Sequence, residues 1–144
     1  PVFRAPFLCS AKGGIFLLTL TLLPDCFSVC QLSDPHEANL GQPFTFLSIT
    51  DEEISLVCPE QNTPVSALKV EAGWRAFRIC GTLAFSLTGI LAGIAGVLKE
   101  AGISLFALST YNTDYVLVKA SKLKAAVAAL EAGGYRIVSS VFSA

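Results

Sequence analysis

Methionine is absent from all 144 residues, and histidine and tryptophan occur once each, as His36 and Trp74. With a single histidine there is no His cluster to hold a metal and little prospect of a His-activated nucleophile. With Pro1 first and no methionine anywhere, we expect a processed, truncated or altered start. Basic residues are also scarce: 10 Lys plus Arg stand against 11 Asp plus Glu, with net charge −1 and no basic run. Nucleic-acid binding needs a basic face, so none is expected.

No apolar run reaches the roughly 18 residues of a membrane span. The longest near the start, Ile15 to Leu23 (IFLLTLTLL), alternates threonine with leucine, and no small-residue cleavage site follows it. It reads as a buried strand, not a signal peptide, and no membrane partner is expected. The five cysteines, Cys9, Cys26, Cys30, Cys58 and Cys80, follow no disulfide-framework spacing, and Cys26 and Cys30 are not a C-x-x-C pair. They read as small buried hydrophobes in a reducing compartment, which places the chain in the cytoplasm. Neither metal nor cofactor is expected.

What the chain does have is apolar text: 53% hydrophobic residues and only 15% charged ones. That predicts a full core and a buried partner surface, with a homodimer as the expectation. Ile15 to Leu23 and Cys26 to Leu32 read as strands turned at Pro24-Asp25, a hairpin. Ser33 to Pro43 is a polar loop. Phe44 to Thr50 and Ile54 to Cys58 read as strands around Asp51-Glu52-Glu53. Pro59 to Gly73 reads as a linker with a short helix at Val65 to Val70.

From Trp74 the periodicity sharpens. Trp74 to Cys80 is a strand. Ser86 can cap a helix reaching about Ala101, with Leu87, Ile90, Leu91, Ile94, Val97, Leu98 and Ala101 at core spacing. Gly102 stops that helix, and Lys99 suits its last turn. Ile103 to Ser109 and Tyr115 to Lys119 are strands. Ser121 caps a second helix through Ala132, and Tyr135 to Val138 is a last strand. The order βαββαβ predicts a ferredoxin-like α+β arrangement, an antiparallel sheet with both helices on one face.

An internal repeat supports a second such unit. Ser48 to Val57 (SITDEEISLV) aligns without a gap on Ser109 to Val118 (STYNTDYVLV) at an offset of 61, matching Glu53 with Asp114. The expected organisation is a degenerate first module over residues 15–70 and a full second module over 74–140.

Two places carry chemistry. Gly89, Gly93 and Gly96 share a face of the first long helix. At its first turn the free N–H groups of Thr88, Gly89 and Ile90 can meet a carboxylate. The polar cluster Ser109 to Asp114 interrupts the apolar text, and Asp114 can take an ammonium group. Tyr111 offers a flat wall, and Thr110 and Asn112 offer hydrogen bonds. An α-amino acid carries one group for each place.

Trp74 to Arg78 (WRAFR), Phe85 to Leu91 (FSLTGIL), Ala101 to Val118 (AGISLFALSTYNTDYVLV) and Ser55 to Glu60 (SLVCPE) together resemble the ACT-domain family, in its short tandem members related to the CASTOR amino-acid sensors. The resemblance covers Phe16 to Val138. It implies two ferredoxin-like ACT modules, the first degenerate, that bind an amino acid at a module interface without catalysis and report it through assembly. The ligand-binding residues it implies are Ala84, Phe85, Leu87, Thr88, Gly89, Ile90, Thr110, Tyr111, Asn112 and Asp114. Arginine-sensing relatives carry an acidic residue where Leu87 stands, so a neutral or apolar ligand side chain is the expectation. The turn Ile49 to Glu53 is the candidate for a second site.

A ligand-free structural or oligomerisation module of the same fold is the alternative; it predicts that Asp114→Ala changes nothing but stability. An enzyme is the weaker reading, since no G-x-S-x-G and no paired-carboxylate pattern occurs. An RNA-binding sheet would need basic aromatic strands, and Ile103 to Ser109 has no basic residue.

Overall fold

In a computed structural model, residues 18–80 and 89–140 are described. The strands among them are β1 (Thr19–Leu32), β2 (Phe46–Ile49), β3 (Ile54–Pro59), β4 (Lys69–Ile79), β5 (Leu105–Ser109), β6 (Asp114–Lys119) and β7 (Arg136–Ser139). The α-helices are α1 (Ile90–Glu100) and α2 (Leu123–Ala132), and single 3-10 turns occur at Pro35–Glu37, Glu60–Asn62 and Ala120–Lys122. The described residues form two compact units: Asp25–Trp74, and the residues up to Pro24 together with those from Arg75 on.

In the Asp25–Trp74 unit the strand order is β2-β3-β1-β4. β1 and β3 run antiparallel with Cys30 opposite Leu56 and Ser28 opposite Cys58, and β2 pairs antiparallel with β3. Side chains alternate across a strand. Cys30, Leu32, Leu56 and Cys58 therefore share one face, where they cluster with Ala38 from the loop and with Leu47, Ile54 and Ala67. Loops cover this face. One clamp is Glu37, whose carboxylate accepts from the Ser33 hydroxyl at 2.7 Å, the Asp34 N–H at 3.0 Å and the Ser66 hydroxyl. Burial pushes the Cys30 and Cys58 thiols up, so both act as small hydrophobes, as their sequence context implies.

In the other unit the order is β7-β1-β4-β6-β5. Leu20, Phe77, Ile79, Val116 and Val118, at alternate positions on three strands, meet Ile94 and Leu98 of α1 and Ala126 and Leu130 of α2. The helical spacing read from the sequence selected Ile94 and Leu98. Ala101 does not belong to that face: it is the exposed C-cap of α1. Gly102 follows with φ +72, a conformation that costs glycine nothing and stops the helix.

Four expectations are corrected. The first two strands are one: β1 runs unbroken through Pro24. Ladder pairs with β7 end at Leu22 and those with β3 begin at Phe27, so Pro24 falls where neither ladder needs its missing N–H. Second, Lys69 to Gly73 is strand, not helix or linker; Gly73 holds φ +80 inside β4. Third, Ser121 does not cap α2. It lies in the preceding 3-10 turn, and Lys122 is the N-cap. Fourth, the sheet is not wholly antiparallel. β7 runs parallel to β1, with Leu20 opposite Ile137, so β1 takes the place beside β4 that the simple βαββαβ order gives to the last strand.

Candidate ligand site

β5 and β6 form a hairpin in which Ser109 faces Asp114 and Leu105 faces Val118. Asp114 alternates with Val116 and Val118, so it projects from the face that α1 and α2 cover, at the open end of β6. The Ser109 hydroxyl donates to its carboxylate at 2.7 Å and fixes its direction. The Thr110 N–H and hydroxyl both donate to the Thr113 carbonyl, at 2.9 and 3.1 Å, and close the four-residue turn. Tyr111 is 81% exposed at the tip, and Asn112 is exposed beside it.

Thr113 does what the sequence did not announce. It is 8% exposed, and its hydroxyl donates at 2.7 Å to the carbonyl of Ile79, the last residue of β4. That bond ties the turn to the strand end from which the chain leaves for α1. A threonine in a polar cluster carries no local sign of a partner 34 residues away.

At the other end of that passage, Gly89 is the N-cap of α1 with φ +81, and among the described residues no side chain caps the helix. Its carbonyl accepts the first helical bond, from the Gly93 N–H at 2.8 Å. The first-turn amides of α1 thus lack intrahelical acceptors and sit at the positive end of the helix dipole. Sequence reasoning put Gly89 inside the first turn; it stands just before it. Ile90 is half-buried and packs on the core with Ile94 and Leu98. Ala84, Phe85, Leu87 and Thr88, and the expected cap Ser86, lie outside the described residues.

The β2–β3 hairpin repeats this turn. The Thr50 N–H and hydroxyl donate to the Glu53 carbonyl at 2.9 and 3.3 Å, as Thr110 does to Thr113. The 3-10 turns that follow, Glu60–Asn62 and Ala120–Lys122, match in the same register. Thr50 therefore corresponds to Thr110, an offset of 60 rather than the 61 read from the text. The residue in the place of Asp114 is Ile54, not Glu53.

Residues 69–132 match the family model of the ACT domain. This segment is an ACT domain. A cattle (Bos taurus) protein described as cytosolic arginine sensor for mTORC1 subunit 1 is 36% identical over a stretch covering 60% of this chain. The chain spans 30% of that relative's length. A crystal structure of a protein from Agrobacterium tumefaciens superposes with a TM-score of 0.76 at 28% identity, covering 86% of this chain and 94% of that one. The ligand-free regulatory subunit of aspartate kinase from Thermus thermophilus superposes with a TM-score of 0.55 at 11% identity, covering 79% and 95%, a likeness of fold. Among the described residues no helix is long and apolar enough to cross a membrane.

Proposed function

We propose that the chain is a non-catalytic regulatory protein of the cytosol that binds an α-amino acid and works as a homodimer. The ligand's ammonium group sits on Asp114, and its carboxylate meets the amides at the opening of α1. The binding residues are Ala84, Phe85, Leu87, Thr88, Gly89 and Ile90 on the helix side and Thr110, Tyr111, Asn112 and Asp114 on the turn. With Leu87 rather than a carboxylate on the helix side, the ligand's own side chain is neutral or apolar. Arginine, the ligand named for the cattle relative, is the comparison case.

The observation that carries this reading is the hydrogen bond from Thr113 to Ile79, because it holds the turn against the strand end that leads to α1. The ACT-domain match and the similarity to an arginine sensor support the regulatory role. The repeated hairpin supports two ACT-like modules, over residues 15–70 and 74–140.

A calorimetric and thermal-shift panel of amino acids tests it. A ligand at about 100 times its Kd adds roughly 2.7 kcal/mol to stability. Asp114→Asn keeps the Ser109 contact sterically possible and removes the charge, so affinity for the responding amino acid drops while the unliganded melting temperature stays close to wild type. No shift with any amino acid at millimolar concentration would sink the reading.

A further inference from the structure

Charge divides between the two compact units. Asp25–Trp74 holds eight Asp and Glu against Lys69 alone, a net charge of −7. The described part of the other unit holds seven Lys and Arg against Glu100, Asp114 and Glu131, a net charge of +4. The chain's overall charge of −1 conceals this division. Each unit also gathers charge in one short exposed stretch. Asp51, Glu52 and Glu53 are exposed at the β2–β3 turn. The Thr50 hydroxyl accepts from the Glu52 and Glu53 N–H groups at 3.1 Å each, so the turn does not need the three carboxylates. Among the described residues none of these carboxylates makes an ion pair, and Lys69 shares a cleft with Glu53 alone of the three. On the other unit, Lys119, Lys122 and Lys124 flank the start of α2; Lys122, its N-cap, and Lys124 are exposed and make no ion pair among the described residues. They stand at the positive end of the helix dipole, which disfavours a cation. Carboxylates brought there from outside would offset that repulsion. Glu131, which lines an open α2 cleft with Lys124, is a further seven residues along, about 10 Å down the helix axis.

We propose that two copies of the chain associate through this division of charge: the Asp51–Glu53 turn of each copy lies against Lys122 and Lys124 at the start of α2 of the other. A partner of one sign would match one unit and be repelled by the other. A second copy, turned about a twofold axis, matches both units and makes the same contact twice. The inference rests on the homodimer reading and adds the surface and the force that selects it.

Sedimentation equilibrium of the full chain at several salt concentrations tests it. The wild type is expected to dimerise at low salt and to weaken about tenfold or more as salt rises from about 0.05 to 0.5 M, because exposed charges are screened. Lys122→Glu with Lys124→Glu sets like charges opposite one another twice and should weaken the low-salt dimer about tenfold or more. The same variant should melt no lower than wild type in high salt, since a carboxylate suits the start of a helix. Asp51→Lys with Glu52→Lys should weaken the dimer likewise, and all four changes together restore opposite charges and should return the constant to near wild type. A monomer at every concentration overturns both the homodimer reading and this surface. A dimer indifferent to salt and to charge reversal, or a fourfold variant no tighter than the two pairs, overturns the surface alone.

Discussion

Removing one hydroxyl at Thr113 is the sharpest test of how the turn is held. Thr113→Val keeps the shape of the side chain and deletes the 2.7 Å bond to the Ile79 carbonyl. Thr113 is almost wholly buried, so water cannot readily replace that donor. A lost hydrogen bond that strands a buried carbonyl costs about 1–2 kcal/mol. In a domain of this size that lowers the melting temperature by about 3–6 °C. Thr113→Ser keeps the donor and loses only a methyl group, so it should fall short of half that drop. Differential scanning calorimetry on the two variants gives the comparison. Amide hydrogen exchange adds a local measure: the β5–β6 turn should exchange faster in Thr113→Val, with α2 and β7 unchanged. If Val and Ser melt together, or if the turn exchanges as in wild type, the bond does not hold the turn and the argument built on it fails.

Two further outcomes follow from the same packing. Gly93→Ala improves helix propensity by about 1 kcal/mol in isolation, yet it drives a methyl group to 2.8 Å from the Tyr135 hydroxyl, and overpacking of this kind costs about 1–3 kcal/mol. Chemical denaturation should therefore show Gly93→Ala destabilised, and adding Tyr135→Phe should recover much of the loss. Glu37 supplies a pH dependence. The Ser66 hydroxyl, then that of Ser33, holds its carboxyl below the usual 4.5. Its contribution is therefore full above that ordinary value and is lost as pH falls through the lowered one. A melting series from neutral pH into acid should show a shallower acid limb for Glu37→Gln than for wild type.

Much of the helix-bearing half was legible because its signals are local. Ile94 and Leu98 sit at helical spacing, and Gly102 punctuates the end of α1 with a backbone angle other residues avoid. The polar run at 109–114 announced a turn, and it is one. What was not legible depended on partners distant in the chain. Pro24 looked like a turn because its effect on a strand is set by which neighbours need its N–H, and two ladders leave that position unclaimed. The place of β7 beside β1 follows from β1 occupying the position next to β4, which no window of sequence contains. For the candidate site, Asp114 and Thr110 were visible as chemistry, whereas Thr113 became visible only through Ile79.

The one-residue difference between the textual and structural repeats has a chemical consequence. Side chains alternate across a strand, so a slip of one residue exchanges the faces. Aligned at 61, Glu53 stood for Asp114 and made the first hairpin a second acidic turn. Aligned by their hydrogen bonds, the first hairpin has Ile54 in that place, and Ile54 packs against the Cys30, Leu32, Leu56 and Cys58 cluster. Glu53 then corresponds to Thr113, and an ionised carboxylate cannot donate the bond that Thr113 makes. The two hairpins share a backbone and differ at both residues that equip the second one: the oriented carboxylate and the buried hydroxyl. A common turn geometry therefore does not by itself bring the chemistry proposed for Asp114. The β2–β3 turn spends the site position on its core, and the chemistry proposed for this chain belongs to the β5–β6 turn.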